Sequence, residues 1–183
     1  MRIRAAKDVH RRWLGVALGV GLVLVSAAAL AVGPAPGAAP QTAKFVIVAA
    51  KTPADGGYNF NGYSRGAMTV TVPVGWHLTI EFQNNGPLTH SLEVLPYTPT
   101  QPGAPPATPV FSGAATKNLQ AGLPKGAKTT ISFTADKPGT YEFACGVPGH
   151  AAAGMWDKLV VSAKAKQPSV TPASATKITT LAR

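Results

Sequence analysis

The stretch "CGVPGHAAAGM", residues 145 to 155, concentrates three reactive side chains among residues that have almost no chemistry of their own. Cys145 is the single cysteine of the chain, His150 one of four histidines and Met155 one of three methionines. They stand five residues apart in a loop otherwise made of Gly, Ala, Pro and Val. A thiol, an imidazole and a thioether are all soft or borderline metal donors. A lone cysteine has no partner for an internal disulfide, and in an oxidising compartment it is a liability unless something occupies it.

Short β-type runs must position these donors. From Lys44 onward the sequence reads "KFVIVAA", "MTVTVPV", "WHLTIEFQ", "HSLEVL", "TTISFTA", "TYEFAC" and "DKLVVS", separated by turn clusters such as "ADGG", "NNGP" and "DKPG". This pattern predicts an all-β, antiparallel sandwich or barrel, with no helix after residue 43. Successive strand residues face opposite sides of a sheet. Leu78, Ile80 and Phe82 therefore share one face, and His77 falls on the other as a surface histidine. In "HSLEVL" His90 shares the inward face with Leu92 and Val94, while Ser91 and Glu93 point away. In "TYEFAC" Tyr141, Phe143 and Cys145 point inward, with Glu142 on the other face.

Taken singly, each donor has an ordinary explanation. A buried cysteine is commonly a small hydrophobe, and an inward histidine is commonly hydrogen-bonded in a core. Together, His90, Cys145, His150 and Met155 make up the ligand set of a blue-copper electron-transfer site, two imidazoles and a thiolate in a plane with a weak axial thioether. Structural zinc fits less well, because neither a C-x2-4-C nor an H-x3-5-H spacing is present. A binuclear copper centre needs a second cysteine. A copper enzyme needs further histidines, and only His10, in the leader, and His77 remain. The ligands suffice for one metal and leave none for catalysis.

The same residues resemble the cupredoxins, and within them the sulfocyanins. "PGTYEFACGVPGHAAAGMW", residues 138 to 156, is similar to the cupredoxin closing strand and ligand loop. Its C-x4-H-x4-M spacing is similar to that of sulfocyanins and rusticyanins. "YNFNGYSRGAMTVTVPVGW", residues 58 to 76, and "FQNNGPLTHSLEVL", residues 82 to 95, resemble two further sulfocyanin segments. The resemblance implies a Greek-key β-sandwich, His90, Cys145 and His150 as strong copper ligands, and Met155 as the axial one. It also implies a one-electron carrier of a respiratory chain, commonly membrane-attached, with partners such as a cytochrome or a terminal oxidase. Ser91 departs from the pattern, since many cupredoxins place Asn directly after the first histidine to tie the two ligand loops together. A serine hydroxyl can make a similar bond.

The flanks have a different texture. Residues 1 to 12 are basic, and "WLGVALGVGLVLVSAAALAV", residues 13 to 32, is an uncharged apolar run of twenty. Such a run spans about 30 Å as a helix, enough to cross a bilayer. The basic side is expected in the cytoplasm and the domain outside it, on a single-pass anchor. A cleaved signal peptide is the rival reading, with "ALA" at 29 to 31 as the cleavage site, and it makes the domain periplasmic or secreted. "RRWL" is a weak match to a twin-arginine signal. Residues 33 to 43 read as a Pro/Ala linker, residues 44 to 163 as the copper-binding domain, and 164 to 183 as a disordered tail. "PYTPTQPGAPPATP", residues 96 to 109, holds too many prolines for a central strand and is expected as a surface excursion.

The formal charge of +10 does not point to nucleic acid. Nine of the seventeen basic residues lie in the flanks, and residues 44 to 163 carry eight basic and six acidic groups, a net of +2. No basic stripe with interleaved aromatics is visible. The expectation is a monomeric electron carrier and not an enzyme. A copper-delivery or storage protein and an immunoglobulin-like adhesion module are the alternatives.

Overall fold

A computed structural model describes residues 41–104 and 108–182. The expected membrane or signal segment and most of the linker lie outside the described residues. Among the described residues no helix is long and apolar enough to cross a membrane.

Among the described residues nine strands form two facing sheets: β1 (Gln41–Ala49), β2 (Thr69–Pro73), β3 (His77–Asn84), β4 (Glu93–Pro96), β5 (Lys128–Thr134), β6 (Gly139–Ala144), β7 (Trp156–Ser162), β8 (Ser169–Thr171) and β9 (Thr179–Ala182). One sheet has the order β5-β3-β1-β9 and the other β4-β6-β7-β2-β8. Alternation along the strands fills the space between them: Phe45, Ile47, Leu78, Ile80, Phe82 and Phe133 from the first sheet meet Val70, Val72, Val94, Phe143, Leu159 and Val161 from the second. Phe45 and Phe143 meet edge to face across the layers, with centroids 6.2 Å apart. Each such side chain, fully buried, contributes about 1.5–3 kcal/mol relative to exposure.

Four features depart from the sequence reading. First, the sheets are mixed and not purely antiparallel. β1 pairs with β3 in parallel and β2 with β7 in parallel, because β2 belongs to the opposite sheet and separates β1 from β3 in the chain. Second, Gln41 to Ala43, expected in the linker, belong to β1 and pair with β9.

Third, the segment after residue 163 is not a disordered tail. β8 adds to β2, β9 adds to β1, and Ala175 between them is buried in the main core. Two strands of three and four residues carry no apolar stripe to betray them. They are held by pairing with strand edges that would otherwise be open to another chain. Where β9 leaves β1, side chains finish the edge: Asn61 donates from Nδ2 to the Val46 carbonyl (3.0 Å), and its Oδ1 accepts the Val48 N–H (2.7 Å). Thr176 Oγ1 also donates to the Val46 carbonyl, at 3.0 Å.

Fourth, Ser91 and Glu93 do not point into solvent; both are fully buried, as is Glu142. β4 begins only at Glu93, so Ser91 lies in a loop where strand parity does not apply. Residues 98–101 and 110–116 then cover the outer side of β4 and β6. Thr98 N–H and Gln101 Nε2 both donate to Glu142 Oε2, at 3.3 and 2.8 Å. Val110 N–H donates to the Val94 carbonyl and Thr116 N–H to the Leu92 carbonyl. His77 is half-buried on the outer face, its Nδ1 3.3 Å from Thr134 Oγ1.

Candidate metal centre

The four expected ligands come to one end of the sandwich. Cys145 follows directly on β6, and the loop from 146 to 155 returns to β7. The loop is closed at its base, where Cys145 N–H donates to the Met155 carbonyl (3.1 Å) and Met155 N–H to the His150 carbonyl (3.0 Å). Within it His150 N–H donates to Val147, Ala153 N–H to Gly149 and Gly154 N–H to Ala151. Gly149 and Gly154 sit at φ 85° and 114°, where a side chain would strain the backbone. The sparse composition of the loop thus serves a tight curl that places a donor at its start, middle and end.

His90 arrives from the loop between β3 and β4. Its backbone is paired on both sides with Leu123, with N–H to carbonyl distances of 3.1 and 2.7 Å. The buried Asn84 fixes this loop. Its Nδ2 donates to the carbonyls of Leu88 (2.7 Å) and Leu123 (2.8 Å), and its Oδ1 accepts the Gly86 N–H (2.8 Å).

The donor atoms form a compact triangle. Cys145 Sγ lies 4.0 Å from His90 Nδ1 and 3.5 Å from His150 Nδ1, and the two Nδ1 atoms are 3.2 Å apart. Trigonal coordination with metal–nitrogen bonds of about 2 Å and a metal–sulfur bond of about 2.3 Å would separate nitrogens by about 3.5 Å and nitrogen from sulfur by about 3.8 Å. The triangle fits one first-row ion. His90, Cys145 and Met155 are buried, and His150 is half-exposed at the rim. Met155 belongs to the same apolar cluster as Cys145.

The electrostatics suit a metal as well. Burial, with His150 alongside, pushes the His90 imidazole down to about 4, and burial lowers His150. Each shift favours the neutral ring, which has a lone pair to donate. Burial raises the Cys145 thiol against the opposing pull of N–H groups from Ser91 and Val147. A bound cation deprotonates a coordinating thiol outright, and those N–H groups are already aimed at the sulfur, Ser91 N–H at 3.4 Å.

Ser91 takes on the loop-tying role expected of it. Gly146 N–H donates to Ser91 Oγ at 2.9 Å, joining the His90 loop to the Cys145 loop. Asn84, Tyr58 and Arg65 were not singled out by their spacing. They lie in the two segments, 58 to 76 and 82 to 95, that resemble sulfocyanins, and that resemblance was the only signal pointing to them. Tyr58 packs its ring against His150, and Arg65 donates from Nη2 to the Ala153 carbonyl at 2.7 Å.

The chain is similar to known proteins over the residues that build this site. The family model of the sulfocyanin (SoxE) domain matches residues 36–171. The sulfocyanin of Sulfolobus acidocaldarius is 33% identical over 111 residues, covering 57% of this chain and 56% of that protein. The chain thus spans little more than half the length of that relative. Rusticyanin of Acidithiobacillus ferrooxidans is 29% identical over 119 residues, covering 63% of this chain and 74% of that one. Among solved structures, a rusticyanin shares 27% identity with a TM-score of 0.47, covering 66% of this chain and 78% of that chain. The dithionite-reduced auracyanin of Roseiflexus castenholzii shares 26% with a TM-score of 0.48, covering 66% and 96%. Because the family match covers most of the chain, from β1 through β8, with every residue of the donor triangle, the chain belongs to the sulfocyanin family of blue copper proteins.

Proposed function

We propose that this chain carries single electrons between redox proteins outside the cytoplasm, with His90, Cys145 and His150 as the strong copper ligands and Met155 as the axial one. The carrying observation is the donor triangle itself, whose two loops are tied by the bond from Gly146 N–H to Ser91 Oγ. Bound there, copper supplies a one-electron couple between Cu(I) and Cu(II). The protein's part is to hold its donors still: the Cys145–Met155 backbone pair, the Ser91 tie and the Leu123 clamp on His90 all resist rearrangement when the charge changes. A site that moves little has little to reorganise during transfer.

His90 is buried and His150 half-exposed, so the outer edge of His150 is the route by which an electron leaves. Around this end Pro87, Leu88, Pro148 and Ala152 are exposed, Leu88 by 44%. Apolar surface of this kind suits brief contact with a partner such as a cytochrome or a terminal oxidase. The reading includes the Greek-key arrangement of cupredoxins, a monomer, and attachment to the outer face of the cytoplasmic membrane by residues 13 to 32.

Adding Cu(II) to the metal-free full chain tests the assignment. An intense blue colour at one equivalent, bleached by ascorbate and restored by reoxidation, is the expected result. Tight, colourless Cu(I) binding would make the protein a delivery or storage module, and failure to bind copper would end the proposal.

A further inference from the structure

The axial position of a blue-copper site is the lever that tunes its potential, so whatever fixes Met155 matters to function. Its own backbone groups are engaged within the ligand loop, N–H to His150 and carbonyl to Cys145. The carbonyls on either side of it are held from outside the loop by one short turn. Arg65 N–H donates to the Gly154 carbonyl and Gly66 N–H to the Trp156 carbonyl, both at 2.9 Å. The Arg65 guanidinium reaches one residue further back, from Nη2 to the Ala153 carbonyl at 2.7 Å.

The fit is close as well as polar. A Cβ built on Gly154 would lie 2.7 Å from Arg65 Cζ and 2.8 Å from Nη1, so the guanidinium rests on the bare backbone of the residue before Met155. A Cβ on Gly66 would lie 2.7 Å from the Trp156 ring, on the residue after it. Arg65 adopts φ 54°, a left-handed conformation unusual for a residue with a side chain. The turn is closed by Ala67 N–H donating to the Ser64 carbonyl at 3.0 Å, and it turns the N–H groups of Arg65 and Gly66 toward residues 154 and 156. Planar, with several donors on a fixed fork, arginine suits such a clamp better than lysine.

We infer that Arg65 is a positioning residue for the axial thioether, clamping the carbonyls of Ala153 and Gly154 so that Met155 keeps its place in both copper oxidation states. The inference rests on the blue-copper reading given above. It has a sign that separates it from a simple charge effect. A cation near copper disfavours the more positive oxidised ion, so deleting its charge alone lowers the potential. Releasing the thioether removes a donor that favours Cu(II), and the potential rises.

The experiment measures reduction potential and visible spectrum for wild type, Arg65→Ala, Arg65→Gln and Arg65→Lys, each also combined with Met155→Leu. Circular dichroism and Tm of the metal-free proteins run in parallel. Arg65→Ala is expected to raise the potential and alter the relative intensities of the copper bands. Arg65→Gln, which keeps an uncharged donor for the Ala153 carbonyl, should recover part of the shift. Arg65→Lys, which keeps the charge but not the fork, should also shift upward. In the Met155→Leu background the upward shifts should vanish, leaving for Arg65→Ala and Arg65→Gln only the small downward effect of the lost charge, and none for Arg65→Lys. An unchanged or lowered potential in Arg65→Ala, or an undiminished shift with Leu at 155, overturns the inference. Should Arg65→Ala fail to fold, the Gln and Lys variants decide by the same signs. A wild type that never turns blue defeats the copper assignment itself, whereas a blue wild type with indifferent variants defeats only the role of Arg65.

Discussion

The Tyr58 ring meets the His150 imidazole edge to face, with centroids 4.8 Å apart and planes inclined at 64°. His150 is the half-exposed member of the donor triangle, so the tyrosine braces the ligand that has least protein around it. Aromatic pairs of this geometry are worth about 0.5–1.5 kcal/mol. Tyr58→Ala should therefore speed the loss of copper to a chelator by about fivefold, the equivalent of ~1 kcal/mol, while Tyr58→Phe stays close to wild type. Stopped-flow chelation followed at the blue band measures both.

Cys145 and Met155 should fail differently. Cys145→Ser is expected to abolish the blue colour, since a hydroxyl cannot supply the thiolate-to-copper charge transfer, while the far-ultraviolet circular dichroism is kept. Met155→Leu should keep both copper and colour and raise the potential, because it removes only a weak axial donor. Visible absorption and protein-film voltammetry distinguish the two. A blue Cys145→Ser protein would contradict the assignment.

Glu93 lies fully buried beside the ligand loop, with neither carboxyl oxygen hydrogen-bonded. Burial, with Glu142 alongside, pushes it up to about 7 from an ordinary value of 4.5. The folded chain thus keeps a proton here that the unfolded chain has lost above about 4.5. The stability this provides is full below that pH and is lost as pH rises through about 7. Glu93→Gln, neutral at every pH, should match wild type near pH 4.5 and exceed its Tm by a few degrees at pH 8. Thermal unfolding of the copper-loaded proteins across that range gives the difference curve, with the histidine ligands held constant by the metal.

The C-terminal strands should carry stability but not colour. Ending the chain at Ser162 removes β8, β9, the buried Ala175 and the Thr176 bond to Val46. A fall in Tm of about 5 °C or more, corresponding to roughly 2 kcal/mol in a domain of this size, is expected. The free edges of β1 and β2 should also promote self-association. The absorption spectrum should be unaltered. Calorimetry and analytical ultracentrifugation check these outcomes.

Docking at the His150 end predicts that Ala152→Glu slows electron transfer to the partner about tenfold, equivalent to ~1.4 kcal/mol, with the copper spectrum unchanged. Transfer in the wild type should depend only weakly on salt, as apolar contact does. Stopped-flow transfer to the isolated redox partner at several ionic strengths measures both.

The site was more legible in the sequence than the scaffold around it, for physical reasons. Cys145, His150 and Met155 sit in one short loop, and a four-residue gap is visible without any knowledge of the fold. Strand parity placed Phe143 and Cys145 on the inward face, and both are buried. For His90 the same rule gave the right direction from the wrong element. The residue precedes β4 and owes its orientation to Leu123 and Asn84, both distant from it in the chain or acting through their side-chain amide. Ser91 and Glu93 show where the rule breaks, because a proline-rich connection covers a face that alternation alone leaves to water. β8 and β9 escaped for the opposite reason: their pattern is polar, and only the edges of β1 and β2 give them a place. Asn61 stands in for a strand partner with a single amide, a substitution that no periodicity records.

Gln41 pairs with Ala182 at one end of β1, while Ala49 at the other end adjoins the His90 loop through the bond from Asn85 N–H. Nine residues of strand, about 30 Å, therefore separate the point where the N-terminal segment joins from the loops that cradle the metal. Ala182, paired with Gln41, stands at that same end of the strand, away from the ligands. A linker fused beside Gln41 or Ala182 would leave the metal end uncovered, so the domain could be wired to an electrode through either residue without blinding the copper.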